Sequence, residues 1–445
     1  MLGPSEIATH KHVIGLSGMG KSRLLASMFA QLASQGQACA LIDPHADLAQ
    51  DTLALLVENG FFNQIGGYQR LVYIDFSNRE RFLPFNFLRQ RYSTHDVARH
   101  VVEACKRAWP ALSSGAAPQF ENILLAGTFA LIENGRPLTE LPRLLTDQYF
   151  RDSLLAGVSD PEVVGFFRNR FDRWGKDAPM MIESTLRRVF LLTFSPTLRF
   201  SLGQSENALD FRRLMDDGVC AIFNLGSLDE ETQRFIGCLL TVGFEVAALS
   251  RADTPLAQRR KYHLIIDEFS QFSATSEEAL ARVLSLARKY GLYLVLAHQT
   301  WSQLSSRLHG ALQNAVEVAF RLGRSDAEWA APRFGQFEPL AVKHEVLDPS
   351  QVERTHPLFY SVQETFESWT RALMDLEPRQ AYVKLGARTV KMKTLTASPS
   401  ERALAQVSRI VEHYTSDLLR PQTAIWSRDV TETRTTARFV VKNED

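Results

Sequence analysis

The chain has 445 residues, 45% of them hydrophobic and 22% charged, and its 50 basic and 50 acidic side chains cancel to a formal net charge of zero. These are globular values for a chain of two or three domains, and they exclude disorder as the default. Neutrality excludes a broadly basic nucleic-acid coat and leaves DNA as a partner only where contact is confined to a small surface, such as the lumen of a ring. Cys39, Cys105, Cys220 and Cys238 form no C-x-x-C pair, which suits a reducing cytoplasm rather than a disulfide framework or zinc site. No apolar run reaches the eighteen or so residues of a spanning helix, and Met1 to Lys11 is too polar for a signal peptide, so the chain as given is expected to be soluble.

In chain order, His12 to Leu16 predicts a short buried strand, followed by a glycine-rich loop and a helix over Lys21 to Ser34 that Gly36 ends. Ala38 to Ile42 reads as a second buried strand, closed by Asp43-Pro44-His45-Ala46-Asp47-Leu48, and Leu71 to Phe76 as a third. Leu83-Pro84-Phe85-Asn86-Phe87 is a proline-punctuated extended piece. Strands alternating with helices indicate a parallel α/β sheet covered on both faces. From Tyr92 to about Leu202 the periodicity is helical and strand signals stop, as expected of an all-α insertion of roughly a hundred residues, a size able to form its own core.

The α/β texture resumes with a strand at Val219 to Gly226, a long helix from Asp229 to Ser250 and a strand at Leu264 to Phe269. Thr275-Ser276-Glu277-Glu278 has capping-box spacing and starts a helix to Tyr290, after which Leu292 to Ala297 and Val316 to Leu322 read as strands. Gln380 to Leu395 is a hairpin turned at Gly386-Ala387, and Glu401 to Asp445 a helix with a polar tail. The division is therefore 1–91 and 205–395 for the two parts of an α/β domain, 92–204 for the insertion and 396–445 for the terminal helix and tail.

Two stretches carry chemistry. Gly15-Leu16-Ser17-Gly18-Met19-Gly20-Lys21-Ser22 fits the Walker A pattern between a strand and a helix. In it Gly15, Ser17, Gly18, Met19 and Gly20 wrap a triphosphate with backbone N–H groups, while Lys21 and Ser22 reach the phosphates and Mg²⁺. Asp267-Glu268, ending a buried apolar run, reads as a Walker B pair: Asp267 holds Mg²⁺ through water and Glu268 orients and deprotonates the attacking water. Gln299, at the end of the neighbouring strand, is either a sensor of the γ-phosphate and water or an amide satisfying a loop; His298 should point to the other side of the strand. Arg288 is a candidate arginine finger among competitors Arg282, Arg321 and Arg324. His45 and Asp47 are either site residues or loop caps. The run Phe166 to Lys176 interleaves arginine and aromatic residues, suiting either phosphate contact with base stacking or a solvated amphipathic helix. No H-E-x-x-H or similar spacing supports a metal beyond Mg²⁺.

Taken in order, the Walker A loop, Leu41-Ile42-Asp43-Pro44-His45-Ala46-Asp47-Leu48, Ile265 to Phe269, Ala287-Arg288-Lys289-Tyr290-Gly291 and Ala297-His298-Gln299 resemble the HerA/FtsK group of P-loop ATPases, and within it the TraG/TraD-type conjugative coupling proteins and their soluble relatives. The resemblance covers about Thr9 to Leu395 and implies a RecA-like P-loop NTPase with a mainly parallel sheet and an inserted all-α domain. It implies ATP and Mg²⁺ as cofactors, Lys21, Glu268, Gln299 and Arg288 as catalytic residues, with Arg288 acting across a subunit interface, and Ser22 and Asp267 as metal ligands. It departs from the group in lacking the N-terminal membrane helices of true coupling proteins and in placing Ala46 where relatives often have glycine.

The function so implied is an ATP-hydrolysing DNA translocase working as a homo-hexameric ring in conjugation or a related mobile-element system. It would be cytoplasmic, or peripheral at the inner membrane through partners such as a relaxase or secretion-channel protein. The basic residues of the Phe166 to Lys176 run, with Arg187 and Arg188, are the lumen candidates. The alternatives are a secretion ATPase acting on protein cargo, and a HerA-like ring serving as scaffold or sensor for a co-encoded phage-defence effector.

Overall fold

The computed structural model describes residues 8–109, 119–272, 284, 287–301, 306–312, 314–347, 355–394 and 399–425. Its strands in chain order are β1 (Lys11–Ile14), β2 (Ala38–Asp43), β3 (Leu71–Asp75), β4 (Arg81–Phe82), β5 (Cys220–Asn224), β6 (Tyr262–Ile266), β7 (Leu292–His298), β8 (Val316–Ala319), β9 (Val342–Leu347), β10 (Thr355–Phe359), β11 (Gln380–Leu385), β12 (Arg388–Lys393) and β13 (Arg420–Pro421). Nine of them make one sheet in the order β12-β11-β8-β1-β7-β6-β2-β5-β3. From β8 to β3 every pair is parallel; β11 then pairs antiparallel with β8 and with β12. Because the parallel strands are buried on both faces, they read in sequence as continuous apolar runs rather than alternating ones.

Alternation shows instead in which core each side chain joins. On β6, Leu264 and Ile266 enter the cluster on one face of the sheet, while Ile265 enters the cluster on the other with Leu41, Ile222 and Val295. The second face is covered by the helices Lys21–Ser34 and Asp47–Glu58, and the helix Glu401–Leu418 packs on the latter, its Tyr414 hydroxyl donating to the Tyr68 carbonyl at 2.9 Å.

The first face is covered by the helix Glu230–Ser250, whose N-terminus is capped by Asp229. This helix is long and apolar enough to span a membrane, yet 78% of its most apolar window is buried inside the fold, so it is the core helix of a globular unit.

Between β4 and β5 the described regular structure is helical, including Thr94–Ala108, Phe120–Glu133, Gln148–Leu155 and Ala178–Val189. Its core is not separate: the helix Thr94–Ala108 lies against Glu230–Ser250, Trp109 stacks on Phe235 with centroids 5.0 Å apart, and one apolar cluster runs from the helical block into the sheet layer. Arg107 donates to both oxygens of Glu245 at 2.7 Å, with both side chains almost wholly buried.

Several sequence expectations shift by one to three residues at their ends. β1 stops at Ile14, β6 runs from Tyr262 and turns at Asp267, and β8 stops at Ala319. The terminal hairpin turns at Gly386-Ala387 as its pattern implies. The helix expected from Thr275 falls largely outside the described residues; its last four, Ala287–Tyr290, form a 3₁₀ turn.

Candidate active site

The parallel registers carry the carboxyl ends of β1, β2, β6 and β7 to one edge of the sheet. Ile14 pairs with His298, Ile42 with Ile266, and Ile266 with Leu296. The residues that follow these strands therefore meet in the crevice where open α/β sheets place ligands. β1 feeds a loop in which Gly18 and Gly20 have φ of +74° and +109°, and Gly20 caps the helix Lys21–Ser34. A side chain at φ near +109° is strained, so glycine permits the turn that brings the loop's amides onto a helix N-terminus.

Lys21 is buried, its ammonium donating to the carbonyls of Gly15 at 2.6 Å and Leu16 at 3.2 Å. Burial lowers its pKa, while the carboxylates of Glu268 and Asp267 act in the opposite sense. The Ser22 hydroxyl donates to Asp267 Oδ2 at 3.2 Å, and the backbone N–H of Glu268 donates to Asp267 Oδ1 at 3.1 Å. Burial, with the nearby charges of Glu268 and Asp43, pushes Asp267 up to about 6. Glu268 is 8% exposed and holds a φ of +44°, a conformation that a non-glycine residue adopts only when its surroundings fix it. Gln299 Nε2 donates to Glu268 Oε1 at 2.8 Å.

The structure thus brings Lys21, Ser22, Asp267, Glu268 and Gln299 together. His298 turns the other way and is fully buried, its Nε2 against Nε2 of His12 and its Nδ1 2.8 Å from the Thr300 carbonyl. Arg288 is not with them. It is exposed at the amino end of β7, close enough to contribute with burial to a His10 pKa of about 4. The strand between Arg288 and Gln299 spans roughly 20 Å at the usual rise of about 3.3 Å per residue. Arg321 donates from Nε to the Leu376 carbonyl at 2.6 Å, Arg324 pairs with Glu328 and Glu367, and Arg282 lies outside the described residues.

His45 and Asp47 are exposed, and Asp43 does the capping: its carboxylate accepts from the N–H of His45 at 2.8 Å and of Ala49 at 2.7 Å. Asp43, the carboxylate that closes the buried apolar strand β2, is also a neighbour of the site, close enough to act on Asp267. Ala46 adopts a φ of +69°, and Gly226 makes room for it, since a Cβ on Gly226 would stand 2.5 Å from that of Ala46. In the Phe166 to Lys176 run, Phe167–Phe171 forms a π-helical turn with Phe167 and Phe171 buried, while Arg168, Arg170 and Arg173 face outward. Those two buried rings belong to the core and are not available for base stacking. Arg187 is exposed and Arg188 half-buried, its guanidinium donating to the Ser184 carbonyl at 2.9 Å.

For a hard divalent cation the donors suit Mg²⁺: one hydroxyl and one carboxylate on facing elements, leaving most positions to water and phosphate oxygens. No cluster of three or more His, Cys, Asp or Glu side chains able to hold a metal occurs among the described residues.

Residues 209–320 match the family model of the type IV secretion-system coupling protein DNA-binding domain. No curated protein sequence matches the chain. Among solved structures, the unbound bacterial conjugative coupling protein TrwBdeltaN70 superposes with a TM-score of 0.63 at 17% identity, covering 90% of this chain and 87% of that one. The plasmid coupling protein TrwB in complex with ADP and Mg²⁺ gives 0.61 at 17% identity, covering 89% and 88%. VirB4 of Thermoanaerobacter pseudethanolicus gives 0.54 at 13% identity, covering 87% and 90%. The mainly parallel sheet with its helical block is the fold of a RecA-like P-loop NTPase with an all-α segment, and the resemblance to the coupling-type P-loop ATPases holds in fold and in the matched segment.

Proposed function

We propose that this chain, with the fold of the coupling-type P-loop ATPases, binds ATP with Mg²⁺ and hydrolyses it to move DNA. The observation that carries the reading is the joining of two sequence-distant motifs into one hydrogen-bonded unit, Ser22 to Asp267 and Gln299 to Glu268, beside the buried Lys21. Lys21 exchanges its two loop carbonyls for phosphate oxygens, which give its desolvated ammonium a charged partner. Ser22 and Asp267 would hold the metal, which when bound neutralises charge developing on the phosphate oxygens. Glu268 accepts a proton from water in line with the phosphate, and the Gln299 amide fixes the carboxylate's orientation.

The matched DNA-binding-domain segment, 209–320, spans β5, the core helix, β6, β7 and β8, and supports DNA as the cargo. DNA contact would come from outward arginines such as Arg168, Arg170 and Arg173, which bear on the backbone charge rather than on base identity. Arg288 is exposed and far from its own chain's site, as a residue completing a neighbouring subunit's site in a ring has to be.

The test is direct. Lys21→Ala should lose the thermal shift given by ADP with Mg²⁺. Glu268→Gln should keep that shift while turnover falls by about 10² to 10⁴. Mixing Arg288→Ala with Lys21→Ala subunits, each inactive alone, should restore part of the activity. Unimpaired ATP turnover by Glu268→Gln would contradict the proposed chemistry.

A further inference from the structure

The carboxyl edge of the sheet sets one ammonium, Lys21, against three carboxylates, Asp43, Asp267 and Glu268. A nucleotide polyphosphate entering it needs further positive charge from the chain as well as from its metal. The candidate comes from an element with no recognisable motif, the turn before β11. There the backbone N–H of Arg379 donates to the carbonyl of Met19 in the glycine-rich loop at 2.8 Å. Its Cγ lies 3.4 Å from where a Cβ on Gly20 would stand, so the arginine stem runs along the loop at the start of the helix.

Arg379 is held there at a cost. Its φ is +70°, one of four positive values among the non-glycine residues described, and two of the others, Ala46 and Glu268, flank the same crevice. The strain is locked in by the residue that follows β12, since the Arg379 carbonyl accepts from the Thr394 N–H at 2.8 Å and from its hydroxyl at 3.4 Å. The side chain is half-buried, and its guanidinium makes no hydrogen bond or ion pair with any described residue. By contrast, Arg321, whose carbonyl also accepts from the same loop, has its Nε bonded to the Leu376 carbonyl at 2.6 Å.

We infer that Arg379 is a nucleotide-binding residue acting within its own chain, its guanidinium engaging the phosphates of the bound nucleotide where they meet the Gly20 end of the loop. Guanidinium pairs two phosphate oxygens in a fixed fork, which point-charge lysine cannot do. The inference rests on the nucleotide reading above, and it places the turn before β11 in contact with the nucleotide, so that phosphate occupancy is felt by the terminal hairpin.

The strained φ supplies a clean variant. Arg379→Gly removes the cation and relieves the backbone, so the nucleotide-free protein should melt at or above the wild-type temperature. Its Kd for ADP with Mg²⁺ should nevertheless rise by about 10- to 100-fold, the loss expected for one charge-assisted contact, with Arg379→Lys recovering part of it. Adenosine, lacking phosphate, should bind the variant and the wild type alike. Unchanged ADP affinity in Arg379→Gly, with Lys21→Ala losing it, would overturn this inference alone; so would an equal loss for ADP and adenosine, which marks a structural role. Wild-type ADP affinity in Lys21→Ala would instead overturn the nucleotide reading beneath it.

Discussion

Asp267 shows the conflict between site and stability at a single carboxylate. With a folded pKa near 6, above its ordinary value, it binds a proton in the folded state that the unfolded chain has released by about pH 4. Its contribution to stability is therefore unfavourable above pH 6 and is relieved as pH falls from 6 towards 4. At pH 7.5, Asp267→Asn should stabilise the nucleotide-free protein by about 1–3 kcal/mol, and the advantage should shrink towards zero at pH 4. The same protonation would remove the carboxylate proposed to hold Mg²⁺, so Mg²⁺-dependent nucleotide affinity of the wild type should fall as pH drops below about 6. Paired thermal melts at the two pH values check the first claim. Equal melting temperatures at pH 7.5 would remove it.

At the scale of elements, the helical block is fastened to the sheet layer by a buried ion pair as well as by apolar packing. Arg107→Met leaves the Glu245 carboxylate without its guanidinium in a dry interface and should cost about 3–5 kcal/mol. Adding Glu245→Leu should return much of that loss, measured by chemical denaturation. A single variant as stable as wild type would mean that the pair does not hold the interface.

The same scale shows what the sequence made legible. Parallel strands buried on both faces announce themselves as apolar runs, which is why β1, β2, β6 and β7 and the carboxylates ending β6 could be read. The stretch from Arg324 to Met374 carries no such runs, so its helices Arg324–Phe334 and Val362–Met374 and the antiparallel pair β9–β10 are not legible as apolar periodicity. One signal was available there: Ser361 and Glu364 form a full capping box at the start of the helix Val362–Met374. Arg379 had none, because its position depends on β11 folding back beside β8, a contact made between residues about sixty-five apart in sequence.

For the whole molecule, zero net charge and an outward set of arginines on the helical block fit a protein that meets DNA over a limited surface. One chain assembles Lys21, Ser22, Asp267, Glu268 and Gln299, while Arg288 is exposed at the far edge of the sheet, where the proposed ring would present it to another copy. The measurement that bears most directly on a DNA-moving ATPase is steady-state ATP hydrolysis by the full chain at low salt, where phosphate contacts are strongest, with and without DNA. The account predicts Mg²⁺-dependent turnover that rises on adding DNA, is lost in Glu268→Gln, and loses its stimulation as salt is raised. Turnover indifferent to DNA at low salt, with no DNA bound, would contradict it.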